Sequence, residues 1–347
     1  MVKRRRASGW ARIVSRSVKA LATLVVAPPR KRKRTPVTAR RPAARVVVER
    51  AASGTGEWLS GIALGPTGAR RYRLYRPPGV GRTGKLPLMV MLHGCGQDAE
   101  AFAASTRMNA IAASERFLVL YPEQDKLSNA QGCWNWFATR SGRARAEVAV
   151  ILSAIDQACA LHRADPARVA VAGLSAGASM AALLAIAHPS RFAAVAMHSG
   201  VGPGMASSSA TALAAMQGRR RAAPIQVAEG AALPPLLVIQ GTLDRIVAPS
   251  NGRAAVASWV AAGDAADSVS ARESAPRRVQ RGQRHPMDIT DFKRRGRLVA
   301  SLIEVVGLGH TWSGGAARQA FSDPAGPAAS RLIWAFVARQ FAVMAAH

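Results

Sequence analysis

The stretch VAVAGLSAGASM, residues 169–180, sets one serine between two glycines, after an alternating Val/Ala run and before an Ala/Met/Leu-rich segment. Gly173-Leu174-Ser175-Ala176-Gly177 has the form G-x-S-x-G. Taken alone that form is common by chance. Between a strand and a helix it has a mechanical meaning: the serine occupies a sharp, strained turn, and the flanking side chains are absent to make room. The turn lifts the hydroxyl to the top of a sheet, where the N–H groups and partial positive charge of the following helix also point.

Working outward, strand and helix patterns alternate. RYRLYRP, LPLMVMLHG and RFLVLYPE read as strands, the second a continuous apolar run suited to a buried position. RAEVAVILSAIDQACALHR reads as a helix and ADPARVAVAG as a turn and strand. ASMAALLAIAHP is helical, FAAVAMHSG a strand, PPLLVIQG a strand and GRAAVASWVAAG a helix. RLVASLIEVVGLGH is a strand running into a loop, and ASRLIWAFVARQFAV a terminal helix. This alternation predicts an α/β fold with a mostly parallel central sheet and helices on both faces. Residues 264–297 are polar and basic and suggest a surface insertion.

A serine hydroxyl is a weak nucleophile until a base takes its proton. Two loops offer partners. Asp244 follows the strand LLVIQG, and His310 follows the last strand in a Gly-rich turn. Singly, the aspartate is a turn former and the histidine a loop residue. The order Ser175, Asp244, His310, each just past a strand, makes them a candidate catalytic set. A developing oxyanion needs two backbone donors: Ala176 N–H follows the serine, and the glycine-flexed turn in VMLHGCGQD aims Cys95 N–H. His93, directly after a buried strand, reads as a loop brace. Trp134 and Trp136 in QGCWNWF, with Trp312 two residues after His310, are candidates for an apolar substrate wall.

The chain's 347 residues, 49% of them hydrophobic, suffice for one large core. No apolar run reaches the roughly 18 residues of a membrane span. The formal net charge is +29, and residues 1–50 carry sixteen Lys/Arg against Glu49 alone. Half the excess therefore sits on one N-terminal arm, leaving 51–347 as the catalytic domain. Within the arm, Trp10, Ile13, Val14, Val18, Leu21, Leu24 and Val25 recur at spacings of three and four, a basic amphipathic helix pattern. PPRKRKRTPVTARRP then reads as a disordered linker. A signal peptide has only the short stretch ALATLVVA to work with, and Pro28 follows the plausible cleavage point. Residues 3–45 fit an anionic surface better (granule, membrane or nucleic acid), beside the plain reading of a solvated tail. Three cysteines, Cys95, Cys133 and Cys159, are too few for a disulfide scaffold and lack zinc spacing, so no metal is expected. Cys159 reads as a small buried apolar residue.

The blocks LHGCGQ, GCWNW, VAGLSAGASMA and GLGHTWSGG, in this order over residues 70–345, resemble the polyhydroxybutyrate (PHB) depolymerase family of esterases, within the α/β-hydrolase fold. The resemblance implies hydrolysis of short-chain hydroxyalkanoate polyesters or oligomers; the serine chemistry itself calls for no cofactor, and no obligate protein partner is evident in the sequence. Ser175 is then the nucleophile, His310 the base, Asp244 its orienter, and the Cys95 and Ala176 amides the oxyanion hole. It further implies a Cys95–Cys133 disulfide, which favours an extracellular or periplasmic location over a cytoplasmic granule. Feruloyl and acetyl-xylan esterases share the scaffold and form the alternative substrate class. A granule- or nucleic-acid-associated protein acting through its arm is the alternative of another kind.

Overall fold

The structure, a computed structural model, describes residues 48–49, 56–66, 68–81, 84–228, 231–265 and 267–345. The arm expected over 1–50, with its amphipathic helix, lies outside them apart from the strand β1 (Val48–Glu49).

The elements follow in chain order. β2 (Glu57–Gly65) and β3 (Gly68–Arg76) form a hairpin that leads to β4 (Leu86–Leu92). The short helices α1 (Ala99–Thr106) and α2 (Met108–Glu115) precede β5 (Leu118–Pro122). Then come α3 (Arg143–His162), β6 (Ala164–Leu174), α4 (Ala176–Ala187), β7 (Ala194–His198), α5 (Ser209–Met216), β8 (Leu236–Gly241) and α6 (Ser250–Asp264). β9 (Arg272–Glu273), β10 (Arg277–Val279), β11 (Met287–Arg294) and β12 (Arg297–Val305) are followed by the short pair β13 (Trp312–Ser313) and β14 (Ser322–Asp323), and by α7 (Ala329–Ala345).

One sheet runs in the order β1-β2-β3-β5-β4-β6-β7-β8-β12-β11-β10, with β9 beside β11. Its centre, from β5 through β12, is parallel. The flanking strands pair antiparallel. The parallel strands are covered on both faces, so they read as apolar runs rather than alternations. Leu88, Met89, Val90, Met91 and Leu92 of β4 are all fully buried, each contributing about 1.5–3 kcal/mol of transfer free energy. On one face Met89, Met91, Ala172, Ile239 and Ile303 pack with Phe102, Met108, Ile333 and Val337 from α1, α2 and α7. On the other, α6 brings Gly252 against Gln240 and Leu302, and α3 brings Val150 against Gly65.

The strands and helices named from the sequence are present. Residues 264–297 require a correction. They carry β9, β10 and β11, which extend the sheet antiparallel beyond β12, with Met287, Ile289 and Phe292 buried. Met287 and Ile289 lie on one face of β11, Thr290 and Phe292 on the other, so the buried positions are scattered among charged ones and give no continuous apolar run. Cys159 is half-buried on α3 rather than buried, and its thiol is free.

Candidate active site

β6 ends at Leu174, α4 begins at Ala176, and Ser175 between them has φ +56° and ψ −119°. A non-glycine residue at positive φ costs about 1–3 kcal/mol and persists only where its surroundings hold it. Here they do. A Cβ on Gly173 falls 2.3 Å from the backbone of Gly177, and a Cβ on Gly177 falls 2.1 Å from the Leu92 carbonyl oxygen. Both motif glycines are thus required by contact between the turn, its helix and β4. The Ser175 N–H donates to the His198 carbonyl at 2.9 Å. Ala176 is the first residue of α4, where the helix itself offers the N–H no acceptor.

Asp244 and His310 occupy the loops after β8 and β12. The two loops are bound together: Leu243 N–H donates to the Leu308 carbonyl at 2.9 Å, and Gly307 N–H to Thr242 Oγ1 at 2.9 Å. Asp244 is buried and accepts four hydrogen bonds. Oδ1 takes the Ile246 and Val247 N–H groups, each at 2.9 Å. Oδ2 takes Gln240 Nε2 at 3.2 Å and His310 Nδ1 at 2.8 Å. Burial pushes this carboxyl up, but the hydrogen bond and charge of His310, with the two loop amides, outweigh it and hold the acid below its usual range. With the imidazole proton on Nδ1, Nε2 is left with a lone pair. The structure therefore brings Asp244 and His310 together. Among the described residues the Ser175 hydroxyl has no hydrogen-bond partner, so the Ser175–His310 link is not made. Such contacts are often long without substrate and tighten in the complex.

The turn after β4 lies against the serine turn: a Cβ on Gly94 falls 3.5 Å from the Leu174 carbonyl. Among the described residues the Cys95 N–H has no acceptor. Cys95 is bonded to Cys133 as a disulfide. His93 braces this turn. Its Nδ1 faces the Gly94 carbonyl at 2.8 Å and its Nε2 accepts the Gln124 N–H at 3.1 Å.

Two of the three tryptophans of the expected substrate wall, Trp134 and Trp312, are corrected by the structure. Trp134 is fully buried and donates Nε1–H to the His93 carbonyl at 3.1 Å. Trp312 is fully buried between the Phe102 edge and the His198 ring, with Nε1–H on Ser330 Oγ at 3.1 Å. Trp136, also buried, meets Phe137 edge to face. An indole N–H seeks a partner when buried, and here those partners turn two of the rings inward as braces.

Several residues went unread in the sequence. Gln240 orients Asp244. Glu147, fully buried, accepts from Asn135 N at 2.8 Å and from Gln124 Nε2 at 2.7 Å, while Arg70 Nε donates to Gln124 Oε1 at 3.1 Å. This cluster pins the GCWNW loop. The available signal was a polar residue inside an apolar run, as in LLVIQG.

The family described as Esterase PHB depolymerase matches residues 70–281, a span that includes Cys95, Cys133, Ser175 and Asp244 and ends before His310. A poly(3-hydroxyalkanoate) depolymerase C from Paucimonas lemoignei is 39% identical over 95 residues, which are 27% of this chain and 23% of that relative's length. The match thus spans under a quarter of the relative. Among solved structures, an acetyl xylan esterase from Aspergillus awamori superposes with a TM-score of 0.55 at 19% identity, covering 78% of this chain and 94% of that one. Dipeptidyl peptidase 4 from Porphyromonas gingivalis gives 0.50 at 12% identity, covering 83% and 35%. These likenesses bear on the fold, and the fold is the α/β-hydrolase. With the family matched across more than half of its length, the chain belongs to the PHB depolymerase family of esterases.

Proposed function

We propose that the chain is a serine esterase that hydrolyses short-chain hydroxyalkanoate polyesters or their oligomers. The observation that carries the reading is the Asp244–His310 bond at 2.8 Å. It fixes the imidazole proton on Nδ1 and leaves Nε2 to take a proton from the serine held at the strand–helix turn. Ser175 Oγ attacks the ester carbonyl, and its proton passes to His310 Nε2. Negative charge gathers on the carbonyl oxygen, where the Cys95 and Ala176 N–H groups stabilise it. The alcohol leaves with the proton from His310, and an acyl-enzyme remains. Water activated by the same imidazole releases the acid.

The substrate class is supported by the family and by the name of the curated relative. Comparing turnover on hydroxybutyrate oligomers with that on feruloyl and acetyl-xylan esters separates the two classes. For the chemistry, Ser175→Ala is expected to lower p-nitrophenyl butyrate turnover by several orders of magnitude. Wild-type turnover by that variant refutes the assignment. The disulfide favours an oxidising compartment, extracellular or periplasmic. The arm's charge suits an anionic surface. Deleting residues 1–50 should leave soluble-ester turnover intact and abolish salt-sensitive attachment to such a surface.

A further inference from the structure

His198, the last residue of β7, is fully buried and stands between the two halves of the site. Its carbonyl accepts the Ser175 N–H at 2.9 Å. Its Nε2 accepts the N–H of Ser313, three residues beyond His310, at 3.1 Å. Its ring stacks on Trp312, two residues beyond His310, at 5.0 Å and 24° between planes. A ring nitrogen that accepts a backbone N–H carries no proton, so the hydrogen belongs on Nδ1, which lies 3.2 Å from Ser199 Oγ.

We propose that His198 is a positioning residue, whose side chain fixes the His310 loop relative to the turn that carries Ser175. The inference rests on the esterase reading above and adds to it. The loop from 310 to 313 is tied by the His310–Asp244 bond at one end, by Trp312 N–H on the Phe321 carbonyl and Trp312 Nε1–H on Ser330, and by Ser313, whose Oγ donates to the Pro327 carbonyl and whose N–H donates to His198. Of these ties, the one to His198 comes from the strand whose carbonyl also holds the Ser175 N–H, so it alone couples the His310 loop to the serine turn. Burial keeps the His198 ring neutral, with its pKa lowered to about 3. The nearby His310 charge pushes the same way, and Asp244 opposes it. The ring therefore supplies an acceptor without placing a second positive charge beside an imidazolium forming on His310.

The backbone link to Ser175 survives any substitution, and His198→Gln, His198→Asn and His198→Met all lose the ring stacked on Trp312, so the comparison among them isolates the acceptor for Ser313. His198→Gln places an acceptor oxygen at the reach of Nε2. His198→Asn places one only at the reach of Nδ1, and His198→Met fills the volume with no acceptor. Turnover of p-nitrophenyl butyrate is measured per folded chain, with the folded fraction taken from near-ultraviolet circular dichroism. Proton transfer is steep in distance, and a misplacement near 1 Å costs about 10²-fold. The Met and Asn variants should therefore lose about 10²-fold in kcat with KM little changed, and the Gln variant should recover to within about tenfold of wild type. Equal activity in all three, high or low, overturns the proposal. So does a loss confined to KM, or failure of all three to fold, which assigns the ring to core packing alone. Ser175→Ala in the same assay separates the two readings. An active Ser175→Ala sinks the esterase assignment, whereas an inactive one beside a wild-type-like His198→Met sinks only this inference.

Discussion

Asparagine at position 244 changes one atom and no volume, and the structure shows where that atom must conflict. Four donors surround the carboxylate: Ile246 and Val247 N–H on Oδ1, Gln240 Nε2 and His310 Nδ1 on Oδ2. The amide group of asparagine must face one pair of them. Turned toward the loop, it meets two backbone N–H groups that cannot change. Turned toward His310 and Gln240, it meets two groups that can: the imidazole proton can move to Nε2, and the Gln240 amide can turn its unpartnered Oε1 toward it. The second arrangement is the lower in energy, and it leaves Nε2 without the lone pair that Ser175 needs. A wrong tautomer of this kind costs about 10⁴-fold in kcat, which is about 5.5 kcal/mol on the barrier. Stopped assays with p-nitrophenyl butyrate measure the loss, and nitrogen NMR of the ring reports which nitrogen is protonated. Asp244→Asn activity within tenfold of wild type refutes the reasoning. An equally large loss with the proton still on Nδ1 refutes it too, because the defect then lies elsewhere.

Two further outcomes follow from the same geometry. The Cys95–Cys133 bond closes a separation of 38 residues, so reduction or Cys133→Ser should remove about 4 kcal/mol of stability on the chain-entropy account; the melting temperature with and without dithiothreitol reads it, and an unchanged value contradicts it. Acid should destabilise the fold through its buried imidazoles: burial lowers His93 and takes His198 to about 3, while the unfolded chain takes these protons near pH 6.5. Between those values the unfolded state holds more protons, so stability falls as pH drops, by up to about 5 kcal/mol for His198. Asp244, held below its usual range, adds a loss in the same direction at lower pH. Urea unfolding across this window should be flatter for His198→Gln, and an equally steep slope counts against the assignment of the effect to that ring.

What could be read in advance depended on how local each signal was. β4 and β8 were plain because LPLMVML and LLVI are continuous apolar runs. The serine turn was plain because its two glycines answer to contacts a few residues away or to the neighbouring strand. α1 and α2 were missed because AEAFAASTRMNAIAASE has only Phe102, Met108 and Ile111 as large apolar residues among many Ala, Ser and Thr, which give no clear apolar stripe. β11 was missed because its buried residues, Met287, Ile289, Thr290 and Phe292, are interspersed with charged ones and follow no single period. Trp134 and Trp312 were misread for another reason. Trp134 finds its acceptor 41 residues away and Trp312 finds one 18 away, and nothing local tells an indole which way to turn. His198 and Gln240 were visible as polar residues ending apolar runs, but their roles exist only once β7 and β8 lie between the serine and histidine loops.

Ser175 sits at a φ and ψ that glycine would occupy freely. Glycine there should relax the turn and raise the melting temperature while deleting the hydroxyl. Thermal tolerance and reactivity therefore pull this position in opposite directions. Any effort to harden the chain by selecting on heat resistance alone will tend to erase the group it was meant to preserve, and must carry a turnover screen alongside.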